Sequence, residues 1–195
     1  MTQQSDLEAY AALLRKWNAV QNLVSRETLD DLWPRHIEDS LQLMPLVRDT
    51  DRTVLDIGSG GGFPAIPMAI ASRGVDRTFT LLEPVAKKAA FLRTIARELD
   101  LPVTVHAVRA EQFDSRETFD LVTARALAHL SELAAKIAPL MHTSGHSLLP
   151  KGRLYRQELD AAAAHYDFDV VVHPSRADAD SAILEISHLR AKSAG

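Results

Sequence analysis

Val54-Leu55-Asp56-Ile57-Gly58-Ser59-Gly60-Gly61-Gly62-Phe63-Pro64 is the stretch whose reading decides the fold. Val54 to Ile57 is a short apolar run with β-branched ends, the pattern of a buried strand. Glycines follow at once, and Ala65-Ile66-Pro67-Met68-Ala69-Ile70-Ala71 is apolar enough to pack as a helix. Strand, glycine loop and helix is a layout in which backbone N–H groups can close around a ligand at a helix N-terminus. The spacing bears on which ligand. A dinucleotide-binding G-x-G-x-x-G loop needs its third glycine one position after Gly62, whereas here Gly58, Gly60 and Gly62 alternate behind Asp56. A tight strand-to-helix turn with no ligand is the plainer alternative.

Asp-x-Gly-x-Gly-x-Gly at the end of a first strand resembles the S-adenosylmethionine loop of the Rossmann-like methyltransferases. The chemistry agrees with the resemblance. That cofactor carries no phosphate, and a tight glycine loop with an acidic residue at its mouth suits a zwitterion bearing a sulfonium better than a pyrophosphate.

Downstream, the chain alternates strands and helices. Thr78 to Leu82 reads as a second strand ending on Glu83, where an acidic side chain can accept hydrogen bonds from ribose hydroxyls. Val85 to Leu99 reads as a helix with Ala89, Leu92, Ile95, Ala96 and Leu99 inward. Lys87, Lys88, Arg93 and Arg97 lie largely off that stripe, as either plain solvated surface or a basic face. Val103 to Ala107 alternates as strand three, and Arg109-Ala110-Glu111 follows. In methyltransferases of this fold the loop after strand three touches the adenine, which places Ala110 and Glu111 against the base; Glu111 opening the next helix is the alternative. Phe119 to Thr123 is strand four and delivers Arg125 to the carboxyl edge of the sheet, where open α/β folds bind ligands.

Ala128 to Ala138 reads as a helix, Ser147 to Leu149 as strand five, Tyr155 to Tyr166 as a helix, Asp169 to His173 as strand six and Ile183 to Ile186 as strand seven. The turn from Pro174 to Asp180 is too short for a crossover helix, so the last two strands should pair antiparallel. The expected fold is α/β, a Rossmann-like class I methyltransferase with a seven-stranded, mostly parallel sheet and an antiparallel last strand.

Upstream, Ser5-Asp6-Leu7-Glu8 has capping-box spacing, and Leu7, Tyr10, Leu14 and Trp17 recur at helical intervals, giving an amphipathic helix from about Asp6 to Ala19. A second helix should begin near Thr28, and a third should run from Arg35 to Met44 between Pro34 and Pro45. Residues 1–50 thus form a helical cap, and residues 51–195 the cofactor-binding domain, as one compact unit. Within the cap His36, Asp39 and Ser40 share one face. That face either lines a site or hydrogen-bonds the cap to the sheet, and the second reading is favoured.

Composition sets outer bounds. A chain of 195 residues is long enough for one sizeable core, and its net charge of −4 excludes gripping nucleic acid by bulk charge. The absence of cysteine removes disulfides, thiolate nucleophiles and cysteine zinc sites. The scattered histidines give no metal-ligand spacing, so no metal is expected. The longest uncharged stretch, Ile57 to Ser72, is broken by Gly and Pro and too short to span a bilayer. A cytoplasmic protein with no membrane contact is expected.

With these pieces placed, the chain resembles the bacterial small-subunit ribosomal RNA guanine-N7 methyltransferases, also known as the glucose-inhibited division protein B family. The likeness is carried by Trp17-Asn18, Asn22-Leu23, Arg35-His36-Ile37-Glu38-Asp39-Ser40-Leu41 and the whole stretch Asp56 to Pro64. It continues through Lys87-Lys88-Ala89-Ala90-Phe91-Leu92, Arg109-Ala110-Glu111 and Arg125-Ala126. Ala65, where a helix-opening glycine is expected, and Pro150 before Lys151-Gly152 depart from the pattern. The resemblance implies methyl transfer from S-adenosylmethionine, leaving S-adenosylhomocysteine, to N7 of a guanine in the 530 loop of 16S rRNA (nucleotide 527), on the small ribosomal subunit, by a monomer. It carries cofactor contacts onto Gly58, Phe63, Ala110, Glu111 and Arg125, beside Asp56, Gly60, Gly62 and Glu83 from the residue reading. Arg125 is expected to act by positioning, since no general base is needed at N7. Lys87, Lys88, Arg93 and Arg97, with Lys151, Arg153 and Arg156, are candidate phosphate contacts. A methyltransferase acting on a small molecule or protein, and a non-catalytic S-adenosylmethionine-binding scaffold, are the alternatives; the glycine spacing argues against a nicotinamide enzyme.

Overall fold

The computed structural model describes residues 2–114 and 116–192. Helix α1 (Gln3–Asn18) starts three residues before the expected position, because Thr2 and not Ser5 is the N-cap. The Thr2 hydroxyl accepts from Ser5 N–H and the Ser5 hydroxyl accepts from Thr2 N–H, a reciprocal box one turn early. The inward stripe is as expected: Leu7, Tyr10 and Leu14 are buried. Asp6, also buried, is held by Arg73 at 2.7 Å, and Trp17 packs on Phe91 with ring centroids 5.6 Å apart. Asn18 ends the helix and accepts from the backbone N–H groups of Leu23 and Val24, which turns the chain back toward the sheet.

Helix α2 (Arg26–Asp30) is capped by Ser25. The expected third helix is a composite instead. A π-helical segment at Trp33–Glu38 takes Pro34 into its first turn, where a missing N–H costs nothing. A short α3 (Asp39–Leu41) follows, then a separate 3-10 turn at Met44–Leu46.

The strands are β1 (Thr53–Ile57), β2 (Thr78–Leu82), β3 (Val103–His106), β4 (Phe119–Thr123), β5 (Met141–Lys151), β6 (Tyr166–Pro174) and β7 (Ala182–Ala191). They form one sheet in the order β3-β2-β1-β4-β5-β7-β6. Every pairing from β3 to β5 is parallel, and β7 runs antiparallel to both β5 and β6. This is the expected topology. Strand β5 begins six residues before the expected Ser147, because Gly145 lets two strands come together. A Cβ there would lie 2.8 Å from the Asp120 carbonyl oxygen and 2.9 Å from that of Phe119.

Helices α4 (Ala65–Ala71) and α5 (Ala86–Glu98) cover one face of the sheet, and α6 (Leu130–Ile137) and α7 (Tyr155–Ala163) pack on the other. Alternation along β1 feeds both layers, Val54 into the first and Leu55 and Ile57 into the second. The first layer also takes in Leu7, Tyr10, Leu14, Leu32 and Ile37, so the N-terminal segment shares a core with α4 and α5. Each such side chain contributes roughly 1.5–3 kcal/mol by burial. Among the described residues no helix is long and apolar enough to cross a membrane.

Candidate active site

Parallel strands β1, β2 and β4 end on one edge, and the residues after them meet there. Gly58 and Ser59 donate their backbone N–H groups to the Leu82 carbonyl at 2.8 and 3.1 Å, and Gly62 N–H donates to Ser59 O at 2.7 Å. Gly60 N–H donates to Glu83 Oε2 at 2.8 Å. The expectation that the loop amides close around a ligand is therefore corrected for these four: they tie the loop to itself and to the end of β2. The space the loop leaves, more than its amides, is what it offers. Gly60 has φ +55° with only its own loop near, so that side of the loop is open. Gly62 is the reverse case. With φ +101°, a Cβ there would lie 2.7 Å from Ile66 Cγ1 and 2.9 Å from the Tyr10 hydroxyl. That hydroxyl donates to Gly61 O at 2.6 Å, so α1 buttresses the loop from behind.

Glu83 is buried, and its other oxygen accepts from Val85 N–H at 2.8 Å. Each carboxylate oxygen retains a further lone pair, so the side chain is fixed beside the loop with acceptor capacity to spare. Asp56 lies one strand over, 1 % exposed. Its Oδ1 accepts from the Thr123 hydroxyl at 2.7 Å, while its Oδ2 has no partner. Burial pushes its carboxyl up to about 6, against the opposing hydrogen bonds of Ser59 and Thr123.

Arg125 follows β4 and is the junction of three chain segments. Its guanidinium donates to His36 Nδ1 at 2.6 Å, to Asp39 Oδ2 at 3.1 Å and to the Arg35 carbonyl at 3.2 Å. It also lies 5.0 Å above the Phe63 ring, on which His36 is stacked at 4.8 Å. A guanidinium has no acceptor, so Nδ1 must be the unprotonated nitrogen of a neutral imidazole. Burial first, and the charges of Arg125 and Arg35 after it, hold His36 down to about 4. His36 and Asp39 thus do what the favoured sequence reading proposed: they hydrogen-bond the N-terminal segment to the sheet, at its edge, by clamping Arg125. Ala126, the next residue, sits at φ +52°, a left-handed backbone that costs about 1–2 kcal/mol without glycine.

Two cavities flank this edge. One of about 210 Å³ is lined by Gly58, Leu82, Pro84, Val108, Ala110 and Glu111, which brings together the two expected base contacts, Ala110 and Glu111, and the expected cofactor contact Gly58. Ala110 opens a 3-10 turn at Ala110–Gln112, and Glu111 is paired with Lys136 at 2.5 Å, which holds its carboxyl below the usual range. The second cavity is a cleft of about 1270 Å³ between the N-terminal segment, the loop after β4 and the β6–β7 turn; Asp39, Arg125, Lys151 and Arg176 are among its walls.

The candidate phosphate contacts divide. Lys87, Arg97, Arg153 and Arg156 are exposed. Arg93 is exposed too but spends one nitrogen on the Val105 carbonyl, and Arg97 lies 3.9 Å from Glu98. Lys151 is turned inward: its ammonium donates to Ala128 O and Glu158 Oε2, both at 2.7 Å, a strut between the β4 loop and α7. Its partial burial demands that counter-charge, so it is not a free surface cation. Sequence reasoning missed Thr123 and Tyr10. A polar residue following the apolar pair Leu121-Val122 at the end of β4 was the available signal for Thr123, whereas Tyr10 reads in sequence as one more apolar stripe residue.

The family model described as rRNA small subunit methyltransferase G matches residues 3–183. Proteins named ribosomal RNA small subunit methyltransferase G from Brucella ovis and Brucella canis are each 48% identical to this chain over 189 residues, covering 95% of it and 88% of theirs. Among solved structures, the glycopeptide N-methyltransferase MtfA complexed with (S)-adenosyl-L-methionine matches with a TM-score of 0.65 at 12% identity, over 78% of this chain and 93% of that one. Ribosomal protein L11 methylase from Lactobacillus delbrueckii subsp. bulgaricus matches with a TM-score of 0.62 at 18% identity, over 78% of each chain. Those two likenesses show the class I methyltransferase fold; the sequence matches, which run through the glycine loop, the Arg125 clamp and nearly all the rest, show that the chain belongs to the rRNA small subunit methyltransferase G family.

Proposed function

We propose that this protein transfers the methyl group of S-adenosylmethionine to N7 of a guanine in the 530 loop of 16S rRNA, on the small ribosomal subunit. Membership of the family makes it an S-adenosylmethionine-dependent methyltransferase of small-subunit rRNA. The observation that carries the finer reading is the placement of Arg125 between the glycine loop and the large cleft, with the neighbouring His36 imidazole and Asp39 carboxylate both engaged in holding its guanidinium.

The residues present fit the cofactor. The open side of Gly60, the spare acceptors of Glu83 and the cavity beside Gly58 offer room for an adenosyl group, with Glu83 accepting from its ribose hydroxyls and Ala110 and Glu111 against the adenine. Phe63 and Arg125 border the methionine end, and Asp56 and Gly62 hold the loop's floor and back. Bound there, S-adenosylmethionine supplies an electrophilic methyl on a sulfonium.

Guanine N7 carries its lone pair in the neutral base, so no proton has to leave before attack. Catalysis then reduces to alignment and exclusion of water, which need fixed side chains and not a titrating one. Arg125 meets that requirement. Four separate contacts limit its motion. Contact of the guanidinium with O6 or with a phosphate would orient the base while leaving N7 free. Lys87, Lys88, Arg93 and Arg97 on α5 are the further candidates for backbone contact, with Arg153 across the edge. The cap (1–50) and the cofactor domain (51–195) share one hydrophobic core, which supports one compact unit, and the protein is proposed to act as a monomer. The substrate supports a cytoplasmic location.

Mapping N7-methylguanine in 16S rRNA from cells with and without this gene tests the reading, and an unchanged map refutes it. Arg125→Ala should lower methylation of subunits with no new pH dependence. Restoration of its rate by small added bases would show proton transfer instead of alignment.

A further inference from the structure

We propose that Arg35, Arg153 and Arg176 form a rim that holds backbone phosphates of the RNA beside the nucleotide entering the large cleft. The assignment rests on the rRNA substrate proposed above and names where its backbone lies.

The three arginines come from three separate segments: the π-helical stretch, the loop after β5 and the β6–β7 turn. Arg35 and Arg176 line the cleft, and Arg153 follows the lining residue Gly152. All three are exposed. Both Arg35 and Arg153 lie close enough to Asp178, on the β6–β7 turn, to favour its charge. None of the three side chains has a hydrogen bond or ion pair within the described protein, although the Arg35 carbonyl and the Arg176 N–H do.

Their neighbours behave otherwise. Arg125 is held by His36 and Asp39, and Lys151 by Glu158. The cations deeper in the cleft are thus neutralised by the protein, and those at its rim are not. Asp178 does not quench them fully, because its carboxylate already accepts from Asp180 N–H and the Ser181 hydroxyl. Unpaired guanidinium groups converging on one opening, in a chain of net charge −4, are a local exception that suits a polyanion. Asp31 and Glu38, also on the cleft wall, flank Arg35 on its own segment.

The rim is also tied to the reaction centre. Gln42, 7% exposed, donates from Nε2 to Asp39 Oδ1 at 2.5 Å and accepts at Oε1 from Arg176 N–H at 2.8 Å. Asp39 holds Arg125 with its other oxygen. One buried amide therefore sets the position of the turn bearing Arg176 relative to the arginine at the cleft's end. A phosphate fixed at the rim would register the neighbouring base on Arg125.

The test uses small ribosomal subunits from cells lacking this gene as substrate, with the salt dependence of kcat/KM as the readout. Arg153→Ala and Arg176→Ala should each lower the slope of log kcat/KM against log salt by about 0.7, and the triple variant with Arg35→Ala by about 2. Arg176→Lys should recover most of the lost slope, because a phosphate contact needs charge. Binding of S-adenosylhomocysteine should be unchanged in all of them, and Arg190→Ala, on an exposed ion pair of β7, should behave as wild type. Unchanged slopes in the arginine variants, with wild-type methylation intact, overturn the rim. Failure of the wild-type protein to methylate subunits at all would overturn the rRNA reading beneath it.

Discussion

Asp56→Asn offers a direct measurement of what the cofactor site costs the fold. The Asp56 carboxyl is raised from 3.8 to about 6 by burial, with Oδ2 unpartnered. Between those two values the folded protein keeps a proton that the unfolded chain has lost, so native stability falls as pH rises. Below pH 4 the carboxyl is neutral in both states, and above pH 6 it is ionised in both, so the change is confined to that window. A shift of about 2 units corresponds to about 3 kcal/mol. Asparagine keeps an oxygen for the Thr123 hydroxyl but does not titrate, and whatever its buried amide costs is the same at every pH. The stability of Asp56→Asn relative to wild type should therefore improve by about 3 kcal/mol from pH 4 to pH 7.5, measured by urea unfolding of the two proteins across that range. Parallel stability curves for the two proteins would refute the claim that a strained, buried carboxylate underlies the glycine loop.

The fold was legible because its signals were local and repeated. The short apolar run of β1, the alternation in β3, the short turn after Pro174 and glycines at every second position from Gly58 each point to one element, and the elements fit one known topology. Boundaries were less legible where tertiary contact set them. Gly145 reads as a strand breaker, yet it is what allows β4 and β5 to approach. The Thr2 cap and the π-helical start at Trp33 depend on hydrogen bonds that no hydrophobic period reports. In the site, residue types announced Asp56, Glu83 and Arg125, but not their partners. Glu83 reads in sequence as a ribose acceptor, and the structure adds that it also fixes the loop through Gly60. Lys151 reads as a surface cation and is a half-buried strut, because Glu158, seven residues away, is brought back by α7. Gln42 carries no signal at all; only the return of the β6–β7 turn, over 130 residues later, gives its amide both partners.

Gly62→Ala should destabilise the protein by more than 2 kcal/mol and abolish S-adenosylhomocysteine binding, since it combines a left-handed backbone with a methyl 2.7 Å from Ile66 and 2.9 Å from Tyr10. Thermal unfolding and calorimetric titration check this, and wild-type values in both would refute the buttress assigned to α1. Three variants at His36 separate stacking from hydrogen bonding. Phenylalanine retains the face against Phe63 but offers no acceptor to Arg125, asparagine retains an acceptor near the Nδ1 position without the ring, and alanine removes both. A charge-assisted hydrogen bond is worth about 1.5–3 kcal/mol, so loss of the acceptor should lower kcat roughly tenfold to a hundredfold while binding of S-adenosylhomocysteine holds. Asparagine should then outperform phenylalanine in kcat, even if phenylalanine melts higher. The opposite order in kcat would mean that the ring, and not the nitrogen, is what keeps the guanidinium of Arg125 in place.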